Sequence, residues 1–303
     1  MYLVDNGSTD GSCEYIMQRY PTVKTIRFER NLGFAQAYNR SVATIAQDYV
    51  VFLNNDVEVE RGWLAELRKA MERGVSRDAV CGSKLLLYHD RGSINHAGGK
   101  LLPIGGGIDM DLMNPDREEP HRYRFVGCVS GASMILPRSV FLGLGGFDID
   151  FFAYFEDVDF CWRAWLAGYR VLHVPSSRAY HKLSATMGPL LRPERLFLGE
   201  RNRLQSMLKN LELRNVILGL FASSLYNVFR FLQFSRRREP AGTLAVLHAD
   251  WWVLTRLPAV VLKRREIQRS RLIRDSFLAC HGLMTTLVEG LREFARLEFI
   301  RAG

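Results

Sequence analysis

Two short apolar runs, Tyr2-Leu3-Val4 and Tyr49-Val50-Val51-Phe52-Leu53, each lead into a cluster of turn formers that carries an acid: Asp5 before Asn6-Gly7-Ser8, and Asp56 after Asn54-Asn55. Such a run reads as a buried strand that delivers a carboxylate to its C-terminal edge. Between and after the two runs, residues 12–20, 32–46 and 62–71 carry helical spacing, and residues 23–28 are strand-like. Strand and helix in alternation predict βαβ units and a mainly parallel sheet, and open α/β sheets gather ligands at the carboxyl ends of their strands. Either acid alone could cap a turn or a following helix. Two of them in equivalent places point to a nucleotide and its metal.

Farther along, strands are expected near 79–87 and 132–136, with a Gly- and Pro-rich excursion between them that holds Gly105-Gly106-Gly107 and the stretch from Pro115 to Pro120. No Gly-Lys-Ser/Thr follows the triple glycine, so it is not a phosphate loop. A long connection of this kind inside a domain is usually a lid or a partner surface. Next comes Phe155-Glu156-Asp157-Val158-Asp159-Phe160-Cys161-Trp162-Arg163, three carboxylates within four residues at the start of a predicted helix. Their mutual repulsion should raise at least one pKa toward neutrality, which makes a usable base; the alternative is that they complement the helix dipole. His181 follows a strand-like stretch by a short turn and precedes Lys182-Leu183-Ser184-Ala185-Thr186.

These segments, in this order, resemble the family 2 glycosyltransferases, in particular their bacterial rhamnosyltransferase-like branch with the GT-A fold. The resemblance runs from Tyr2 to about Lys209. It rests on Val4-Asp5-Asn6-Gly7-Ser8-Thr9-Asp10-Gly11, Asn31-Leu32-Gly33-Phe34-Ala35 with Asn39, Leu53-Asn54-Asn55-Asp56-Val57, Gly131-Ala132-Ser133-Met134, Gly145-Gly146-Phe147-Asp148, the Glu156–Arg163 segment, Gly168-Tyr169 and His181. It implies an α/β GT-A sheet flanked by helices and a nucleotide-sugar donor. By it Asp5 contacts the base, Gly33 and Asn39 line the nucleotide pocket, and Asn54, Asn55 and Glu156 bind substrate. Asp56 and His181 hold Mg2+ or Mn2+ on the diphosphate, and Asp157 is the catalytic base. An inverting transfer needs such a base on the acceptor hydroxyl and such a cation on the departing diphosphate. The family opens with an apolar strand, a turn and a helix ahead of the Val-Asp-Asn-Gly-Ser segment, a unit of about 30 residues. Its absence implies an N-terminally truncated catalytic domain over residues 1–190, with the alternative of an inactive fragment acting as a membrane-bound interaction protein.

Charge separates the rest of the chain. Of 303 residues, the first 190 carry a net charge of −1 and the remaining 113 a net charge of +10. With 48% hydrophobic and 24% charged residues the whole is a globular composition, not a disordered one. Cys13, Cys81, Cys128, Cys161 and Cys280 are scattered, which suits a reducing compartment, and the opening residues lead into a turn rather than a leader-like apolar stretch. A domain boundary is expected near 185–195. Residues 191–303 then read as a basic, amphipathic helical region that associates with a membrane. Ser223, Asn227 and Arg230 share one stripe, with Leu218, Phe221, Leu225, Phe229 and Leu232 largely on the other. Trp251-Trp252 and the triplets Arg236-Arg237-Arg238 and Lys263-Arg264-Arg265 suit an anionic bilayer surface; a helical hairpin packed on the catalytic domain and a transmembrane hairpin are the alternatives. The uncharged run Val216–Phe229 is short of the ~20 residues that span a bilayer. No nucleic-acid motif accompanies the basic charge. The sequence thus predicts transfer of a sugar, from dTDP-rhamnose or a UDP-sugar, to a polysaccharide or lipid-linked acceptor at the cytoplasmic face of a bacterial membrane.

Overall fold

The structure is a computed structural model that describes residues 1–73, 78–117, 123–182, 192–237 and 239–300. The chain starts with β1 (Tyr2–Asp5), α1 (Ser12–Arg19), β2 (Lys24–Arg27) and α2 (Phe34–Thr44), the succession that the apolar spacing predicts. β1 and β2 pair in parallel, Tyr2 opposite Lys24 and Asp5 opposite Arg27, as a sheet of their own. Next come β3 (Tyr49–Leu53), β4 (Val57–Val59), α3 (Trp63–Arg73), β5 (Val80–Leu87), β6 (Ile94–His96), β7 (Gly99–Leu101), β8 (Gly107–Asp109), β9 (Arg124–Phe125), β10 (Ser133–Pro137), α4 (Arg138–Gly143), α5 (Glu156–Leu166) and β11 (Val171–His181). The main sheet has seven strands in the order β3-β10-β5-β11-β4, with β6 added on β5 and β9 on β11.

The sheet is mixed and helix-flanked as expected, but less parallel. Within it only β5 and β11 run parallel, whereas β10 is antiparallel to both β3 and β5 and β11 is antiparallel to β4 and β9. The reason is connectivity. The stretch 88–125, expected as a loop, folds into β6 to β9, so the chain reaches β10 through hairpins rather than through the helical crossover a parallel neighbour requires. Part of that stretch, residues 118–122, lies outside the described residues. Register slips between Val174 and Arg178, at Pro175, which has no N–H for the ladder.

α5 is buried on nearly every side. Phe160, Cys161, Trp162, Ala164, Trp165 and Leu166 all lie in the core, as befits a helix between a sheet and a further helical layer. The second layer begins with α6 (Pro193–Asn210), followed by α7 (Leu213–Arg237), α8 (Pro240–Thr255), α9 (Leu257–Arg269), α10 (Asp275–Cys280) and α11 (Leu287–Ile300). Most of the expected boundary, including residues 183–191, lies outside the described residues. The core nevertheless runs straight across it. Leu204, Met207 and Leu211 join the same apolar cluster as Phe160, Trp162 and Trp165. Asn210 Nδ2 donates to Asp159 Oδ1 (2.9 Å), and Lys209 pairs with both Asp148 and Asp159. α6 is thus built into the catalytic unit.

α7 is amphipathic in the expected register. Its polar stripe faces the protein: Ser223 and Arg230 are buried, and Arg230 pairs with Glu200 of α6 at 3.0 Å. Its apolar stripe faces out, with Phe221 67% exposed and Leu225, Phe229 and Leu232 also exposed, and on α8 Trp251 is 65% exposed. By length and composition α7 could cross a membrane; α8 and α9 could do so only as one span, and they are bent by 68°. The second basic triplet is less available than expected. Lys263 pairs with Asp148 and Asp150 and Arg264 donates to the carbonyls of Leu208 and Leu211, which leaves Arg265 exposed. Arg238 of the first triplet lies outside the described residues.

Candidate active site

Three residues, Ser130-Gly131-Ala132, sit at the centre of one sheet edge and tie its parts together. Asn54 N, one residue past β3, donates to Ala132 O (3.1 Å), which brings Asp56 beside the centre. Gly131 N donates to Asp157 Oδ2 (2.8 Å), which brings in the start of α5. Ser130 N donates to His96 Nε2 (3.1 Å), and His96 Nδ1 in turn donates to the half-exposed Asp109 (2.6 Å). Asn95, next to His96 on β6, accepts from His181 Nδ1 (2.8 Å). The sequence gives no sign of Asn95, because the pair is 86 positions apart.

Asp56 and His181 come together as expected. β11 pairs with β4 so that His181 lies opposite Val57, and Lys182 N donates to Asp56 O (3.0 Å). His181 Nε2 stands 3.3 Å from Asp56 Oδ1, a buried oxygen with no hydrogen bond among the described residues. When protonated, the imidazole holds the Asp56 carboxyl below its ordinary range, against the opposing effect of burial. When neutral, His181 keeps its proton on Nδ1 for Asn95 and presents the Nε2 lone pair to a carboxylate oxygen. A divalent cation satisfies both atoms. Among the described residues no third His, Cys, Asp or Glu gathers there, so this O/N pair fits an ion whose sphere is completed by substrate phosphate and water.

The acidic trio divides into two kinds. Asp159 is a structural ion: burial raises its pKa, but Lys209 and Arg163 outweigh that and hold the carboxyl below its ordinary value. Glu156 and Asp157 go the other way. Burial and the neighbouring Asp157 push Glu156 well up, and Glu156 Oε2 has no hydrogen-bond partner among the described residues. Burial also raises Asp157, against the opposing hydrogen bonds of Gly131 N and Val158 N. Burial and the Glu156 and Asp56 carboxylates push the phenol of Tyr38, a residue the sequence did not single out, up as well.

The other expected contacts are employed differently. Asp5 does not offer a free carboxylate to a base: it is buried, Oδ1 accepts from Ser8 N (2.9 Å), and Oδ2 pairs with Arg27 (3.1 Å). Asn39 spends both amide atoms on the backbone of Phe147, donating to its carbonyl (2.7 Å) and accepting from its N–H (2.9 Å), so it clasps the Gly145–Asp148 turn. Gly33, at φ +79°, lets Phe152 approach so closely that a Cβ would lie 2.6 Å from its ring. Asn6 reaches Asn31 and Leu32, which locks the first two motifs together. Asn54 and the exposed Asn55 form the turn that presents Asp56.

A mixed sheet flanked by helices, with a cation-fitting pair and buried acids along one edge, is the architecture of a GT-A-like glycosyltransferase. Residues 1–125 match the family described as Glycosyl transferase family 2, and residues 110–262 match Glycosyl transferase family group 2. The chain belongs to the family 2 glycosyltransferases. It is 33% identical over 211 residues to the N-acetylglucosaminyl-diphospho-decaprenol L-rhamnosyltransferase of Mycobacterium tuberculosis, a match covering 61% of this chain and 67% of that one. It is 29% identical over 163 residues to the rhamnosyltransferase WbbL of Escherichia coli, covering 49% and 60% of the two chains. A crystal structure of GalNAc-T7 with UDP, GalNAc and Mn2+ shares the fold, with a TM-score of 0.54 at 19% identity over 69% of this chain and 41% of that one.

Proposed function

We propose that this glycosyltransferase moves a sugar with inversion from a nucleotide diphosphate donor, dTDP-rhamnose or a UDP-sugar, to a glycan or lipid-linked acceptor in cell-envelope synthesis. The observation that carries the reading is the placement of Asp157 on Gly131 N–H, one residue from the Ala132–Asn54 bond that brings up Asp56 and His181. The name of the Mycobacterium tuberculosis relative supports a lipid-linked acceptor, and that of the Escherichia coli relative supports rhamnose.

In this reading Asp157 takes the proton of the acceptor hydroxyl as that oxygen attacks the anomeric carbon and the bond to the diphosphate breaks. Its raised pKa makes it a stronger base than an ordinary aspartate. Glu156, whose pKa burial and the neighbouring Asp157 push well above its ordinary value, turns its unpartnered Oε2 to a sugar hydroxyl. Asp56 and His181 hold Mn2+ or Mg2+, which when bound neutralises charge on the departing diphosphate. The outward apolar face of α7 and α8 rests on the anionic cytoplasmic leaflet, where a lipid-linked acceptor is found.

A screen of dTDP-rhamnose and UDP-sugars, with Mn2+ and a polyprenyl-diphospho-N-acetylglucosamine acceptor, tests this by mass spectrometry of the lipid product. One donor should give a product one sugar heavier, and chelator should abolish it. No product from any donor by the folded chain would favour the inactive reading.

A further inference from the structure

We propose that Asn202 on α6 is a positioning residue for the base, acting through the backbone turn that precedes α5. Tyr154 and Phe155 sit at φ 72° and 64°, two successive non-glycine residues in the left-handed region. Side chains disfavour that conformation, and it persists only where surrounding bonds impose it. Asn202 supplies them. It is fully buried, and its Nδ2 donates to the carbonyls of both Ala153 and Tyr154 at 2.8 Å, while its Oδ1 accepts from Arg201 Nε (3.0 Å). The amide is therefore fixed in direction, and both carbonyls are aimed at α6.

The triple glycine closes the same clamp from the other side. A Cβ on Gly105 would lie 2.0 Å from Arg203 O, and one on Gly106 would lie 3.0 Å from the ring of Phe155. Gly106 N donates to Ser206 Oγ (3.0 Å). α6 thus grips the glycine loop and the 153–155 turn together, with the Phe155 ring against the loop. Phe155 O receives Asp159 N (2.8 Å) in the first turn of α5, so the orientation of this turn sets the direction in which Asp157 leaves the helix toward Gly131.

This inference rests on Asp157 as the base, and the test separates the two. In the full chain, Asn202→Ala should lower kcat by about ten- to a hundredfold with the donor dissociation constant unchanged, since misorientation of a reacting group costs turnover and not binding. Adding Tyr154→Gly should restore most of that loss, because glycine adopts positive φ unaided. Asn202→Asp keeps the shape but donates only when protonated, so its kcat relative to the unsubstituted chain should rise as pH falls. Independently of any substrate, amide exchange at Gly131 should quicken about tenfold in Asn202→Ala. If that variant does not fold, the pH ratio and Gly131 exchange in Asn202→Asp decide. Unchanged kcat and unchanged Gly131 exchange, or a loss that Tyr154→Gly does not recover, would overturn the positioning role. Full turnover in Asp157→Asn would instead remove the base reading itself.

Discussion

Burial raises the pKa of a carboxylate unless a cation is paired with it, and the site shows both outcomes within four residues. Asp159 is paired by Arg163 and Lys209, and Glu156 and Asp157 are left with raised pKa values. Asp157→Asn, which keeps size and removes the base, should therefore cost about a hundredfold or more in turnover at unchanged donor affinity, measured by steady-state kinetics. The base must be ionised to act, so kcat should fall as pH drops through a value above the ordinary aspartate 3.8, and a pH–rate profile reads that limb directly. His181→Ala should raise the Mn2+ concentration needed for half-maximal rate, read by metal titration, because Asp56 alone is a poor site. Asp56, Asp157 and His181 lie along one edge because each is anchored to a local strand or helix end. The motifs do not show that Asp5 pairs with Arg27 or that Asn39 bonds to Phe147, partners chosen by tertiary packing, and they give no hint of Asn95, which reaches His181 only once the sheet is assembled.

Among the elements, α6 is where spacing was least informative. Its buried face is charged, so its sequence falls within the basic, amphipathic helical region expected at a membrane, whereas Glu200, Arg203 and Arg230 form an internal cluster against Ile104 and Ser223. Burial opposes ionisation of Glu200, but Arg203 and Arg230 bring its pKa down to about 2 from an ordinary 4.5. A folded-state value depressed in this way gives stability that is present above the unfolded pKa and lost as pH falls toward the folded one. Thermal melts should show that loss between about pH 4.5 and 2, and Asp148 and Asp159, also lowered, add to it with the same sign. Glu200→Gln removes the carboxylate that two buried guanidinium groups share and should cost about 3–5 kcal/mol by denaturant melts, with unfolding moved to a correspondingly lower midpoint. The same principle explains the sheet. The apolar runs named β3, β5 and β10 correctly, but direction is set by the connections, and the hairpins of residues 88–125 carry little pattern of their own.

At the scale of the whole molecule, catalytic unit and helical layer share one core, and the outward side of that layer is apolar. Vesicles containing phosphatidylglycerol should float the protein, vesicles of phosphatidylcholine alone should do so less, and Phe221→Glu with Trp251→Glu should weaken flotation at least tenfold while leaving the fold intact, since both side chains are exposed. The proposed function, in which a lipid-linked acceptor reaches one sheet edge where a single base faces a cation-held diphosphate, has a stereochemical consequence. Direct attack by the acceptor oxygen, assisted by Asp157, forms one bond as the other breaks on the opposite face of the sugar. The measurement that tests this most directly is the anomeric configuration of the newly made linkage, read by nuclear magnetic resonance on the purified product of the full chain. The account predicts the configuration opposite to that of the donor; a product that retains it would contradict a single-base displacement at this site.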